Sequence, residues 1–206
     1  MEKESQTIFD KNVIEFVTVA AEFCAFLERA ERMKRSDFVD TSLKILPLLY
    51  LKASMLPKCE TIGEGVLETY VTEEIYEILR INLAELMGDK DDYLDVFVQD
   101  MVYSDQPIKK SISEDLADIY QDIKDFIFVF QLGLNETMND SLAICQENFG
   151  MLWGQKLVNT LRALHDVKYN LQDNEEEEEN NEEGFYEMLR FAVNCKKEGI
   201  RTVMSG

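Results

Sequence analysis

Ser113–Gln131 reads SEDLADIYQDIKDFIFVFQ, and this stretch decides the fold class. Leu116, Ile119, Tyr120, Ile123, Ile127 and Phe130 recur at three- and four-residue spacing, while Glu114, Asp118, Asp122 and Asp125 fall about one turn apart on the other side. A half-buried strand would alternate with a period of two, and this stretch does not. It is therefore expected to be an amphipathic helix running to about Leu132. Ser111 and Glu114 have the S-x-x-E spacing of a capping box at its start.

The same period extends in both directions. Upstream, Thr7–Met33 carries Val13, Val17, Ala20, Cys24, Leu27 and Ala30 on one stripe, with Phe16, Phe23 and Phe26 beside it. That wide face needs cover on two sides, from its own bundle or from a second copy of the chain. A second helix is expected after Ser36 as N-cap, kinked near Leu43 because Pro47 lacks an amide donor, and ended by Pro57. The glycine-containing segment 58–71 reads as a loop. Thr72 then caps a helix with Glu73 and Glu74 in its first turn, and Gly88 stops it. A shorter helix is expected over DDYLDVFVQDMVY. From about Met138 to Tyr169 the pattern passes through Gly150 and Gly154 and reads as one bent helix with a soft point. With Asn-Gly and Asp-Gly hairpin signals missing and no internal repeat, the expectation is an all-α, irregular bundle of about six to seven helices.

Composition sets the organisation. A chain of 206 residues, 46% of them hydrophobic, can build its own core over residues 1–171. Residues 172–183, QDNEEEEENNEE, have no apolar side chain and are expected to be a mobile acidic linker. Residues 184–206 are expected to form an amphipathic C-terminal helix that docks on the bundle. The four cysteines stand far apart without a CxxC pair, which points to free thiols in a reducing compartment. The start MEKESQTIFDKN has no apolar leader, and no uncharged stretch approaches the ~20 residues of a membrane span. A cytoplasmic protein without membrane contact is expected.

The formal net charge of -20, from 41 acidic and 21 basic side chains, repels phosphate backbones and anionic lipids alike. Direct nucleic-acid binding is disfavoured, while a basic protein partner fits. Three places could carry chemistry. Glu114, Asp118, Asp122 and Asp125 are candidate ligands for Mg²⁺ or Mn²⁺ in a phosphohydrolase, a hard cation that takes carboxylate oxygens. Against this, a charged stripe opposite an apolar face is ordinarily a solvated surface, and no other cofactor is implied. The cluster at Asp89 and Asp91 fails the EF-hand pattern, because Tyr93, Leu94 and Asp100 occupy ligand and glycine positions. Trp153, Asn159, Arg162 and His165 form a third group, an aromatic wall with a guanidinium and the chain's one histidine, suited to a small anion. No phosphate loop, GxSxG, HExxH or SxxK is present, so the balance leans away from an enzyme and toward an interaction or regulatory protein.

Four strings together resemble a known family: LPLLYLKASMLP at Leu46–Pro57, GDKDDYLDVFVQDMVYSDQPI at Gly88–Ile108, SEDLADIYQDIKDFIFVFQLGLNETMNDSL at Ser113–Leu142 and WGQKLVNTLRALH at Trp153–His165. They are similar to the bacterial domain of unknown function 5063. That resemblance implies a helical, cytosolic bacterial protein and brings no catalytic residue, cofactor or activity onto these positions.

Overall fold

The computed structural model describes residues 7–95 and 108–170. The chain divides into two compact units, Met1–His165 and Asp166–Gly206, and only 166–170 of the second fall in the described residues. The linker expected at 172–183 and the helix expected at 184–206 lie outside them.

The order is α1 (Lys11–Glu28), a 3-10 turn (Ala30–Arg32), α2 (Arg35–Ser54), α3 (Glu73–Met87), a 3-10 turn (Gly88–Lys90), β1 (Asp92–Leu94), β2 (Lys109–Ser111), α4 (Ile112–Gln131), α5 (Asn135–Asn148), a π turn (Phe149–Trp153) and α6 (Gly154–Tyr169). The fold is all-α with one two-stranded antiparallel ribbon, Asp92 pairing with Ser111 and Leu94 with Lys109. Because α5, the π turn and α6 follow one another without a loop, the described residues hold five helical runs rather than six or seven.

Helix α4 is the hub. It packs against α1, α3 and α5, and α1 packs in turn on α2. Val13, Phe16, Phe23 and Leu27 of α1 are buried, as are Leu46 and Leu49 of α2 and Leu83 and Met87 of α3. Leu116, Ile119 and Ile123 of α4 are fully buried as well, each such side chain contributing about 1.5–3 kcal/mol on leaving water.

Several helix ends differ from expectation for local reasons. α1 begins after Asp10, whose carboxylate accepts the Asn12 amide at 2.8 Å, and ends at Glu28. Lys34, not Ser36, occupies the N-cap of α2, and the helix continues through Pro47 to Ser54. Thr72 does cap α3, its hydroxyl accepting the Ile75 amide, and Gly88 closes it at φ 57°. Ser111 makes no side-chain cap on α4. Asp91 does that work instead, accepting the Ser113 amide at 2.8 Å and the Ser113 hydroxyl at 2.6 Å. The short helix expected from Asp91 is replaced at Asp92–Leu94 by β1, while residues 96–103 lie outside the described set.

The soft point between Gly150 and Gly154 is the π turn. A Cβ at Gly154 would stand 2.3 Å from the Phe149 carbonyl oxygen, so only glycine fits the wide turn.

The Ser42 hydroxyl of α2 is fully buried and has no hydrogen-bond partner among the described residues. Removing it abolishes a desolvation cost at little loss of packing. Ser42→Ala should stabilise the fold by about 1 kcal/mol, read as a higher urea midpoint at unchanged slope.

Candidate functional site

The acids of α4 do not form the solvated stripe their period suggests. Glu114 is exposed, but Asp118, Asp122 and Asp125 are half-buried, and Asp115, which the periodicity passed over, is 3% exposed. Each buried or half-buried carboxylate meets donors from a different part of the chain. Asp115 accepts the phenol of Tyr93 on β1, and the Thr160 hydroxyl of α6 lies 3.5 Å away. Asp118 accepts the phenol of Tyr76 on α3 at 2.8 Å and the ammonium of Lys156 on α6. Asp122 accepts the Asn148 amide of α5 at 2.7 Å. Asp125 accepts the backbone amides of Tyr70 and Val71 at 2.7 and 2.8 Å. This one helix face thus ties down β1, α3, α5, α6 and the end of the loop before α3.

Burial raises the pKa of Asp115, Asp122 and Asp125 above the ordinary carboxyl range, and their donors only partly offset it. Burial, reinforced by the neighbouring carboxylate, likewise raises the phenols of Tyr93 and Tyr76, which stay neutral and donate.

A second set of donors and acceptors fixes the loop 58–71. Asp140 of α5, 5% exposed, accepts the backbone amides of Ile62 and Gly63 at 2.7 and 2.8 Å. Asn139 donates to the Glu60 carbonyl at 2.8 Å, and Gln146 both accepts the Cys59 amide and donates to the carbonyls of Leu56 and Pro57. The loop is therefore held at its two ends, 59–63 and 70–71, by polar side chains of α4 and α5. Sequence reasoning missed Asp140, Asn139 and Gln146, which carry no signature beyond being polar on a helix.

Between α4, α5 and residues 66–69 lies a cavity of about 260 Å³. Asp122 and Asp125 line it, with Phe126 and Val129 of α4 and Ile144 and Cys145 of α5. Another, of about 330 Å³, lies beside α1 and α4 around Cys24, Glu28, Tyr70 and Lys124. There Glu28 accepts both the Tyr120 phenol and the Lys124 ammonium, and burial pushes the Cys24 thiol up to about 12.

The remaining sequence candidates fall as follows. Among the described residues no three His, Cys, Asp or Glu side chains are placed to hold one metal ion. Asp89 pairs with Lys90 at 3.0 Å and Arg35 at 3.1 Å, and Asp92 with Lys109 at 2.8 Å, so ion pairs as well as the Asp91 cap account for that cluster. Trp153 is fully buried, its indole N–H donating to the Cys145 carbonyl at 3.2 Å and its ring 4.7 Å from that of Phe149. Arg162 and His165 are exposed on α6, so the ring does not stand in an open pocket beside them. Asn159 lies between Gln155 and Asp95, at 2.9 and 3.4 Å. Cys24, Cys59 and Cys145 are free thiols.

The family model for the domain of unknown function DUF5063 matches residues 7–170. The chain is similar to protein BF1032 from Bacteroides fragilis, known from a crystal structure, at 80% identity. The match covers 79% of this chain and 96% of that one, with a TM-score of 0.71. No curated protein matches.

The raised pKa of Asp122 fixes a sign. The contribution of Asp122 to stability should grow as pH falls through its folded-state pKa, with the gain complete below the unfolded carboxyl value of about 3.9. Asp122→Asn keeps an acceptor for Asn148 and removes the charge. It should melt higher than wild type at pH 7, with the difference closing near pH 4.

Proposed function

This chain belongs to the domain of unknown function 5063 family, and on that footing we propose that it is a non-enzymatic helical protein of the cytosol that engages a basic protein partner through an acidic surface. The observation that carries this reading is the loop before α3. From Cys59 to Glu74 the chain holds Glu60, Glu64, Glu68, Glu73 and Glu74, all exposed, and no lysine or arginine. Asp140, Asn139, Gln146 and Asp125 hold the backbone on either side of Glu64 and Glu68, at 59–63 and 70–71. A fixed row of like charge costs little ordering on binding and steers a cationic surface toward it.

The carboxylates most suggestive of catalysis support the same reading from the other side. Asp118 uses both its oxygens on Tyr76 and Lys156, and Asp115, Asp122 and Asp125 each accept from a neighbouring element. They serve the architecture. Exposed apolar side chains such as Ile62 and Val66 lie in the same loop and give a partner something to cover besides charge.

A fluorescent lysine-rich peptide titrated into the full chain tests the proposal, with anisotropy read at low and near-physiological ionic strength. Glu60→Gln, Glu64→Gln and Glu68→Gln together should weaken binding roughly tenfold, at ~0.5 kcal/mol per exposed charge. Three glutamines placed at the exposed Glu22, Glu31 and Glu85 should change it less than about twofold. Equal losses in both triple variants, or no binding at low salt, would contradict the reading.

A further inference from the structure

The cavity between α4, α5 and residues 66–69 is unbalanced in charge. Asp122 and Asp125 line it, with the exposed Glu68 at its loop side, and no lysine, arginine or histidine does. The nearby cations are committed elsewhere, Lys156 to Asp118 and Lys124 to Glu28. Each of the two carboxylates spends only Oδ1: Asp122 on the Asn148 amide, Asp125 on the amides of Tyr70 and Val71. Among the described residues no donor reaches Oδ2 of either.

The rest of the wall has a different character. Phe126, Val129 and Ile144 give it an apolar body, and Cys145, 2% exposed, adds a buried thiol with no hydrogen-bond partner among the described residues. Two acceptor oxygens beside an apolar chamber of about 260 Å³ match one ligand chemistry. An anion would be repelled. A bare divalent metal would want several oxygen ligands converging on one point, whereas among the described residues no three acidic, histidine or cysteine side chains are placed to share an ion, and it would leave the apolar wall unused. A neutral apolar molecule would leave both oxygens unmet.

We infer that this cavity binds a small organic cation, a primary amine on an apolar body of roughly one ring, whose ammonium donates to Asp122 and Asp125 while its body rests on Phe126, Val129 and Ile144. An ammonium brings three donors, enough to serve both oxygens at once. Val66 and Glu68 of the acidic loop also line this cavity, so the two readings are told apart by their variants: replacing Asp122 and Asp125 leaves every loop glutamate in place.

Benzylamine is the probe and benzyl alcohol its neutral counterpart, each added to the full-length protein at near-physiological salt, up to about 10 mM. Benzylamine should raise the melting temperature and show intermolecular NOEs from its ring to the methyls of Val129 and Ile144, and the alcohol should do neither. Asp122→Asn combined with Asp125→Asn keeps the acceptors for Asn148, Tyr70 and Val71 and should weaken benzylamine binding at least tenfold. Ile144→Trp, which fills the chamber, should abolish the NOEs. The proposal is overturned if amine and alcohol act alike, if neither gives NOEs to those methyls, or if the folded double variant binds benzylamine as wild type does. The NOE comparison in wild type decides the matter even where a variant fails to fold.

Discussion

Asp115, Asp118, Asp122 and Asp125 leave water on one side of helix α4, and a carboxylate that leaves water has to be met by donors or give up its charge. That requirement shapes the neighbourhood of the helix. The phenols of Tyr93 and Tyr76, the ammonium of Lys156, the amide of Asn148 and two backbone amides at Tyr70 and Val71 all point at this one face. The apolar face of α4 fills the core with Leu116, Ile119 and Ile123, and such burial is tolerant of small shifts. The acidic face is not tolerant. Hydrogen bonds of 2.7–2.8 Å to α3 and α5, and the Lys156 ammonium of α6 on Asp118, set how these helices sit around the hub, supplying direction that dispersion and area burial lack.

How far the sequence reveals this depends on the range of the interaction. The helical period of 113–131 was readable because it is local, as were Thr72 and Gly88 at the ends of α3 and the soft point at Gly150 and Gly154. The ribbon was not. Asp92–Leu94 finds its partner at Lys109–Ser111, and the phenol of Tyr93 goes to Asp115, so pairing across the chain overrides an amphipathic local pattern. The acidic stripe shows the same limit more sharply. Periodicity placed Asp118, Asp122 and Asp125 opposite the apolar residues, where solvent is the default. Whether solvent or another helix lies there depends on donors tens of residues away in the chain. Asp115, next to Leu116, and Asp140, in an unremarkable turn of α5, had no local mark at all.

The functional consequences follow from what the anchoring leaves over. The carboxylates of α4 and α5 fix the two ends of the loop before α3, and from Cys59 onward the loop carries exposed glutamates and no lysine or arginine. Asp122 and Asp125 each keep one oxygen outside the anchoring bonds, and both residues line a mostly apolar cavity. The large negative charge therefore divides into structural acids, which face donors within the fold, and outward acids, which are available to cations.

Amide hydrogen exchange at Ile62, Gly63, Tyr70 and Val71 probes the anchoring most directly, because these four backbone donors lie in a loop without helix or strand and are bonded only to Asp140 and Asp125. All four should be protected in the wild-type protein. In Asp125→Ala, protection should fall at Tyr70 and Val71 while the core amides of α4 keep theirs. Exchange of these four amides at the rate of an open loop in the wild type would contradict the account.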